Sequence, residues 1–304
     1  MQGVLVLGGP TASGKSELAV ALAERFAAEI VGADSRQIYR DMLVGTAAPS
    51  AAQRARVPHH LIGFLDPYER YSAARFAADA LQAIRDIAAR GKRAIVAGGT
   101  GFYLRALCGD VALSASFDAP LRARLAREFA LHPPEVMHAW LASRDPERAA
   151  AVVPGDRYRV ARALEVALCG EGAQRAPAPA QDSLRSAGIP FVKRWLEIPD
   201  DVLEARIAAR VAAMLSGGLL EEAERIGVDA VAADAVGYPQ ALAYLRGWST
   251  FAELRDSLAR ATRRYAKRQR TWSRSEPGVE FAAYDDFEGL CRAAEQYLGW
   301  RSAG

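Results

Sequence analysis

Apolar positions along the chain follow two rhythms. Gly3-Val4-Leu5-Val6-Leu7-Gly8 is a short apolar run closed by glycine, and the segment after it carries Leu18, Leu22 and Phe26 at four-residue spacing. A continuous apolar run reads as a strand buried on both faces, and a four-residue period as one face of a helix. The expected order is strand, tight loop, helix. Glu29-Ile30-Val31-Gly32 and Arg93-Ala94-Ile95-Val96-Ala97-Gly98 are predicted as a second and a third strand. Between them Ser72 can cap a helix whose Phe76, Ala80, Ile84 and Ile87 share one face, with Gly91 as its stop. Strands alternating with amphipathic helices predict an α/β fold: a parallel sheet flanked by helices, with ligands gathered at the carboxyl ends of its strands.

From about Phe117 to Cys169 the strand signals vanish and short helices are expected, the first capped by Asp118 with Pro120 in its opening turn. Glu171 to Pro190, with Ala176-Pro177-Ala178-Pro179, reads as a linker. Phe191 to Ile198 alternates well enough to be a strand returning to the first sheet. Asp200 is expected to cap a helix with Leu203, Ile207, Val211 and Met214 on one face, ended by Gly217-Gly218. A capping-box spacing at Thr250-Phe251-Ala252-Glu253 opens the last helix, which should run to about Ser275. The division expected from this pass is a discontinuous core, 1–114 and 190–304, interrupted by a helical insertion domain at 115–189.

Composition narrows the class. The 304 residues are 51% apolar and 25% charged, ordinary for a globular protein, and this excludes a disordered tail. No apolar run approaches the ~18 residues of a membrane-spanning helix, so a soluble, cytoplasmic protein is expected. Cys108, Cys169 and Cys291 are scattered singly, and His59, His60, His132 and His138 form no zinc-binding pattern. The net charge of +3 says little until its distribution is seen. Arg260, Arg263, Arg264, Lys267, Arg268, Arg270 and Arg274 fall within fifteen residues that hold no acid, and helical spacing puts most of them on one stripe interrupted by Tyr265 and Trp272. Such a stripe suits nucleic-acid phosphates, with the aromatics free to stack or pack.

The clearest chemical signal is Gly9-Pro10-Thr11-Ala12-Ser13-Gly14-Lys15-Ser16, which fits the phosphate-loop pattern and lies between a predicted strand and a predicted helix. Its glycines let backbone N–H groups converge, Lys15 adds a mobile cation, and Ser16 can ligate Mg²⁺. A kinase or ATPase of this class normally ends a further apolar strand with a carboxylate. Here that strand ends Gly98-Gly99-Thr100-Gly101, and the carboxylate follows the second strand instead, at Ala33-Asp34-Ser35-Arg36-Gln37. Asp34 could accept a proton from a nucleophile or hold Mg²⁺ through water. A diphosphate gripped this way can surrender a phosphoryl group or depart whole while carbon is attacked; the missing acid weakens the first reading.

Several segments occur together in order: the loop at 9–16, Ala33-Asp34-Ser35-Arg36-Gln37-Ile38-Tyr39, Val57-Pro58-His59-His60-Leu61-Ile62, Gly98-Gly99-Thr100, Arg162-Ala163-Leu164-Glu165-Val166, Ala235-Val236-Gly237-Tyr238, and Ala266-Lys267-Arg268-Gln269-Arg270-Thr271-Trp272. This set resembles the tRNA dimethylallyltransferases, also called tRNA isopentenyltransferases, which prenylate N6 of the adenosine next to the anticodon. The resemblance implies a phosphate-loop core with a helical insertion that contacts tRNA. It further implies dimethylallyl diphosphate as donor, the tRNA anticodon stem-loop as acceptor, Mg²⁺, and a monomer. It makes Asp34 the base for the amine and Thr100 a contact to the diphosphate or target nucleotide. Gly9 and Pro10 through Ser16 would hold the diphosphate with Arg206 or Arg210. Asp34, Ser35, Arg36, Gln37, Thr100, Arg122, Tyr158, Arg159, Val160, Ala161, Arg162, Arg264, Lys267, Arg268, Gln269, Arg270 and Arg274 match positions that touch tRNA in the family.

The chain departs from that pattern at four places. Asp234 and Pro239 stand where the family usually has basic residues, Ala48 where a lysine is common, and Gly63 where an acid is. Three competing readings remain: a prenyltransferase acting on free adenine nucleotides, a phosphate-loop small-molecule kinase, and a nucleotide-gated RNA-binding protein. The first needs no basic RNA surface, the second lacks its acid, and the third leaves Asp34 without a purpose.

Overall fold

The computed structural model describes residues 2–113, 119–169 and 182–302. Six strands form one sheet: β1 (Val4–Gly8), β2 (Ala28–Gly32), β3 (His59–His60), β4 (Arg93–Gly98), β5 (Phe191–Glu197) and β6 (Val279–Ala283). They lie in the order β3-β2-β4-β1-β5-β6, and every pair is parallel. The helices in chain order are α1 (Lys15–Phe26), α2 (Ala51–Arg56), α3 (Ala73–Ala89), α4 (Gly101–Cys108), α5 (Ala119–Leu131), α6 (Pro134–Arg144), α7 (Pro146–Ala150), α8 (Arg157–Cys169), α9 (Asp200–Ser216), α10 (Leu219–Ile226), α11 (Tyr238–Leu245), α12 (Phe251–Ser273) and α13 (Phe287–Leu298).

The chain divides into two compact units, residues 1–111 with 180–304, and residues 112–179. In the first, alternate residues of β1 enter different cores, as the two-residue period of a strand requires. Leu5 and Leu7 join Leu22 and Phe26 of α1 and Leu290 and Ala294 of α13. Val4 and Val6 join Phe76, Ala80, Ile84 and Ile87 of α3 with Leu104 and Leu107 of α4. A third cluster gathers Ile38, Tyr39 and Met42 with apolar residues of α9, α10 and α11. The second unit has its own core of Leu125, Phe129, Met137, Leu141, Val160 and Leu164.

Two expectations are corrected here. Residues 182–189 belong to the first unit and not to the helical insertion, because Leu184 and Ile189 are buried in its core and Leu184 N–H donates to Leu107 O at 2.7 Å. Asp200 is the first helical residue of α9, and Pro199 occupies the cap position. β3, β6, α2, α4, α10, α11 and α13 are not among the expected elements; most are short, but α10 and α13 each carry an apolar face that could have been read. The expected Asp118 cap and the residues 171–181 of the expected linker lie outside the described residues. Among the described residues no helix is long and apolar enough to cross a membrane.

Candidate active site

β1 delivers the chain at its carboxyl end into the loop 9–14, and the turn into α1 is made by Ala12 and Gly14 at positive φ, 63° and 91°. Ser13 N–H closes on Pro10 O at 3.2 Å. Gly14 caps α1 without a side chain, so among the described residues the amides of Lys15 and Ser16 meet no acceptor. Such a helix start, with converging N–H groups and the positive end of the macrodipole, suits an anion. Lys15 Nζ donates to Pro10 O at 3.2 Å. Burial lowers its pKa to about 8, against an upward pull from Asp34 and with a further push down from Arg210.

Both candidate arginines of α9 reach this region, one turn apart. Arg206 donates to Ser13 O at 2.8 Å while its guanidinium stacks 4.6 Å over the Tyr284 ring. Arg210 donates to Thr46 O at 3.1 Å and is buried enough that its pKa is pushed down, with Asp34 and Tyr265 opposing. Ser13 Oγ and Arg210 Nε are buried with no hydrogen-bond partner among the described residues. Orphaned buried polar atoms are costly and rare, and the one on Ser13 lies in the phosphate loop itself, where a polar ligand would satisfy it.

Asp34 lies two residues past β2, and one carboxylate oxygen accepts Arg36 N–H at 2.9 Å. The turn is fastened to the end of β4: Thr100 N–H reaches Ala33 O at 3.2 Å, and Thr100 Oγ1 accepts Ser35 N–H at 2.9 Å and donates to Ser35 Oγ at 3.2 Å. Thr100 thus orients the segment that carries Asp34. Burial raises the pKa of the Tyr265 hydroxyl of α12, and the Asp34 carboxylate pushes it the same way. Asp34, Lys15, Ser16, Gln37 and His59 line one small cavity. His59 Nδ1 pairs with Val57 O at 2.8 Å, and burial pushes the ring's pKa down. His60 instead joins Glu29 at 2.7 Å, where Arg90 also binds, which is a structural network.

The end of β4 has no room for an acid. A Cβ at Gly98 would sit 2.1 Å from Ala33 O, one at Gly99 2.3 Å from Gln269 Nε2, and one at Gly101 2.2 Å from the Trp272 ring. The glycines let α12 press against the strand end where a kinase would carry its carboxylate.

Several expected RNA contacts stand differently. Gln269 is 5% exposed and spends both ends of its amide internally, accepting Thr11 N–H at 2.8 Å and donating to Gly99 O at 2.9 Å, so it is withdrawn from the RNA-contact set. Val160 is fully buried in the second unit's core, since its position in α8 faces the other helices, and it is withdrawn too. Ala161 packs partly against the same core. Arg122 and Arg162 both pair with buried Glu165 at 2.9 Å. Tyr158 is 79% exposed and Arg159 is exposed beside Asp156. On α12, Arg260, Arg263, Arg264, Lys267 and Arg268 are exposed, as is Arg274 just beyond it, whereas Arg270 is paired with Asp200. Arg268 lies 5.6 Å over the Tyr265 ring, and Trp272 packs against Trp195 with Arg105 above it. Arg36 pairs with Asp234 at 3.0 Å, so the departure at 234 neutralises a cation beside the site.

One group escaped sequence reasoning. Glu222, 4% exposed, accepts Val44 N–H at 2.9 Å, Gly45 N–H at 2.7 Å and the Tyr238 hydroxyl at 2.7 Å. It anchors the loop whose Thr46 O receives Arg210 and whose Thr46 and Ala47 carbonyls receive Gln37 Nε2 at 3.2 Å. The signal was present: Leu219, Glu222, Ala223 and Ile226 share one helical face, which puts an acid at a core position.

An all-parallel sheet with a phosphate loop after β1, a carboxylate after β2 and none after β4 defines a phosphate-loop protein with its carboxylate on an unusual strand. The family model described as IPP transferase matches residues 37–276, and one described as isopentenyl transferase matches residues 2–59. A tRNA dimethylallyltransferase of Anaeromyxobacter sp. (strain Fw109-5) is 47% identical over 300 residues, covering 97% of this chain and 99% of its own. One from Geobacter sulfurreducens is 40% identical, covering 97% of each. The crystal structure of a tRNA isopentenylpyrophosphate transferase from Bacillus halodurans superposes with a TM-score of 0.69 at 34% identity, over 98% of this chain and 96% of that one. A eukaryotic dimethylallyltransferase acting on tRNA gives a TM-score of 0.73 at 25% identity, over 97% of this chain and 77% of its own. The chain belongs to the IPP transferase family.

Proposed function

We propose that this chain transfers a dimethylallyl group from dimethylallyl diphosphate to N6 of adenosine 37 in tRNAs that read codons beginning with U. The products are N6-isopentenyladenosine and diphosphate. The observation that carries the reading is Asp34, a carboxylate that lines one cavity with Lys15 and Ser16 of the phosphate loop, in a chain whose relatives are named for this reaction.

The exocyclic amine of adenine is a poor nucleophile because its lone pair is delocalised into the ring. As the bond from N6 to the allylic carbon forms, Asp34 accepts the N6 proton through its oxygen not held by Arg36. The carbon–oxygen bond breaks and its electron pair leaves with the diphosphate. The amides at the head of α1, Lys15 and Arg210 stabilise that charge where it develops, while Arg206 holds the loop's shape through Ser13 O. Thr100 keeps the Asp34 turn in place. The adenine must leave its stacked loop to reach this carboxylate, at a cost of a few kcal/mol. Exposed Arg264, Lys267 and Arg268 on α12, and Tyr158 and Arg159 on the second unit, suit the surrounding RNA.

Among the described residues no three His, Cys, Asp or Glu side chains gather as a metal cage. Mg²⁺ on a diphosphate needs only one or two protein oxygens, and Ser16 with Asp34 would supply them from the cavity they share. When bound, the ion would offset charge on the leaving diphosphate. The protein is expected to work as a cytoplasmic monomer.

The test is to incubate protein and Mg²⁺ with labelled dimethylallyl diphosphate and either unmodified tRNA or AMP. Label should enter tRNA at adenosine 37. Label entering AMP but not tRNA would replace this reading with a nucleotide prenyltransferase.

A further inference from the structure

In the second unit, α8 buries Val160, Ala163 and Leu164 in the core and exposes Tyr158 and Arg159. Glu165 is an acid as buried as those apolar residues. Holding a carboxylate away from water is costly unless cations pair with it, and two do. Arg122 of α5 donates to both carboxylate oxygens, at 3.3 and 2.9 Å, and Arg162 lies 2.9 Å from the second of them. The two guanidinium groups thus meet at one oxygen, while 28% and 24% of their side chains stay exposed. Two cations would not gather this closely by themselves, because like charges repel, and the carboxylate between them offsets that repulsion. The three side chains together carry one net positive charge. Tyr158 stands four residues before Arg162, which puts its exposed ring on the same face of α8.

We propose that Glu165 is a positioning residue for RNA binding: it gathers Arg122 and Arg162 into one fork that takes a backbone phosphate of the acceptor. This rests on the reading of the chain as an enzyme acting on tRNA, with Arg122 and Arg162 as contacts. A guanidinium grips phosphate through paired N–H groups at fixed angles, so its orientation matters. An arginine set beforehand also loses less side-chain freedom when the phosphate arrives. The sign of the effect separates this role from charge alone. An acid beside RNA repels phosphates, so one with no positioning role hinders the complex, and its removal tightens binding. A carboxylate that sets two arginines does the reverse, and its removal weakens binding.

The experiment measures binding of unmodified tRNA to the full chain across a salt series, with single-turnover rates and thermal unfolding for each variant. Glu165→Gln, which keeps the shape and removes the charge, should weaken tRNA by about fivefold or more and flatten the slope of log affinity against log salt by about 0.7–0.9 for a phosphate no longer held. Its rate at saturating tRNA should stay within about twofold of native, so the change falls on KM. Glu165→Asp, which keeps the charge on a shorter stem, should recover part of the affinity; a residue that only fills space between α5 and α8 would lose more in Asp, the smaller side chain. With Arg122→Met and Arg162→Met in place, adding Glu165→Gln should change tRNA affinity by less than about twofold, since the groups it acts through are gone. Tighter or unchanged tRNA binding in Glu165→Gln, or no recovery in Glu165→Asp, overturns the positioning role. Should Glu165→Gln fail to fold, Glu165→Asp decides alone: binding weaker than native supports the role, and equal or tighter binding overturns it. Unchanged binding after removal of both arginines overturns it too and leaves the transfer reaction standing, whereas a native chain that binds no tRNA overturns the functional reading and the role with it.

Discussion

Replacing Glu222 by alanine tests whether the site's outer loop is held by a single buried carboxylate. The side chain receives Val44 N–H, Gly45 N–H and the Tyr238 hydroxyl, and Tyr238 is itself fully buried. Hydrogen bonds to a charged acceptor contribute roughly 1.5–3 kcal/mol each, so three amount to roughly 5–9 kcal/mol before opposing effects. Holding a carboxylate away from water costs several kcal/mol, and truncation relieves that cost. It also leaves three donors without an acceptor. The net destabilisation expected is about 3 kcal/mol, which for a domain of this size lowers Tm by about 6–12 °C. Glu222→Gln keeps an acceptor but sets its NH₂ against one donor, and should destabilise about half as much. Exposed Glu221→Ala next door should stay within about 0.5 kcal/mol. The assay is urea and thermal unfolding, paired with pyrophosphate titration, because the loop's Thr46 O also seats Arg210. A Glu222→Ala protein within about 1 kcal/mol of native stability would refute the reasoning, since water would then satisfy those donors as well as the carboxylate does.

Three further outcomes are expected. Asp34→Asn should lower the single-turnover rate by roughly 10²-fold or more while tRNA affinity is nearly unchanged; normal chemistry with abolished binding would contradict the role of base. Lys15 has its pKa lowered to about 8, so pyrophosphate affinity should hold below about pH 8 and fall above it as the ammonium deprotonates. Lys15→Met should bind more weakly with that step removed, and a persisting step would assign the titration elsewhere. Arg264→Ala combined with Arg268→Ala should weaken tRNA and flatten the slope of log affinity against log salt by about 0.7–0.9 for every RNA phosphate no longer neutralised; an unchanged slope would count against α12 as the RNA surface.

The sheet was legible where strands are buried on both faces, because β1 and β4 are continuous apolar runs that need no context to be read. β3, two residues long, and β6, at the sheet's edge, carry no such signal. Asp34 was legible because it stands just past an apolar strand in a chain already marked by a phosphate loop. Gln269 and Val160 were placed on an RNA surface because adjacent residues in a helix share a motif, whereas a helix turns consecutive side chains to different faces. Only packing shows that Gln269 points inward while Lys267 and Arg268 point out.

By itself the sequence determined the phosphate loop, the parallel α/β core interrupted by helices, the lone carboxylate and the family to which they belong. These are local: each is written in contiguous residues whose spacing has one physical meaning. The tertiary structure decided what distant segments do to one another. It set Arg206 on the phosphate-loop backbone and Arg210 on Thr46 O, neutralised Arg36 with Asp234, and buried Glu222 under the loop it anchors. It also explained the missing acid, since Gly98, Gly99 and Gly101 clear the space that Ala33, Gln269 and Trp272 occupy. Burial and partner distance are properties of the folded chain, and no one-dimensional pattern contains them.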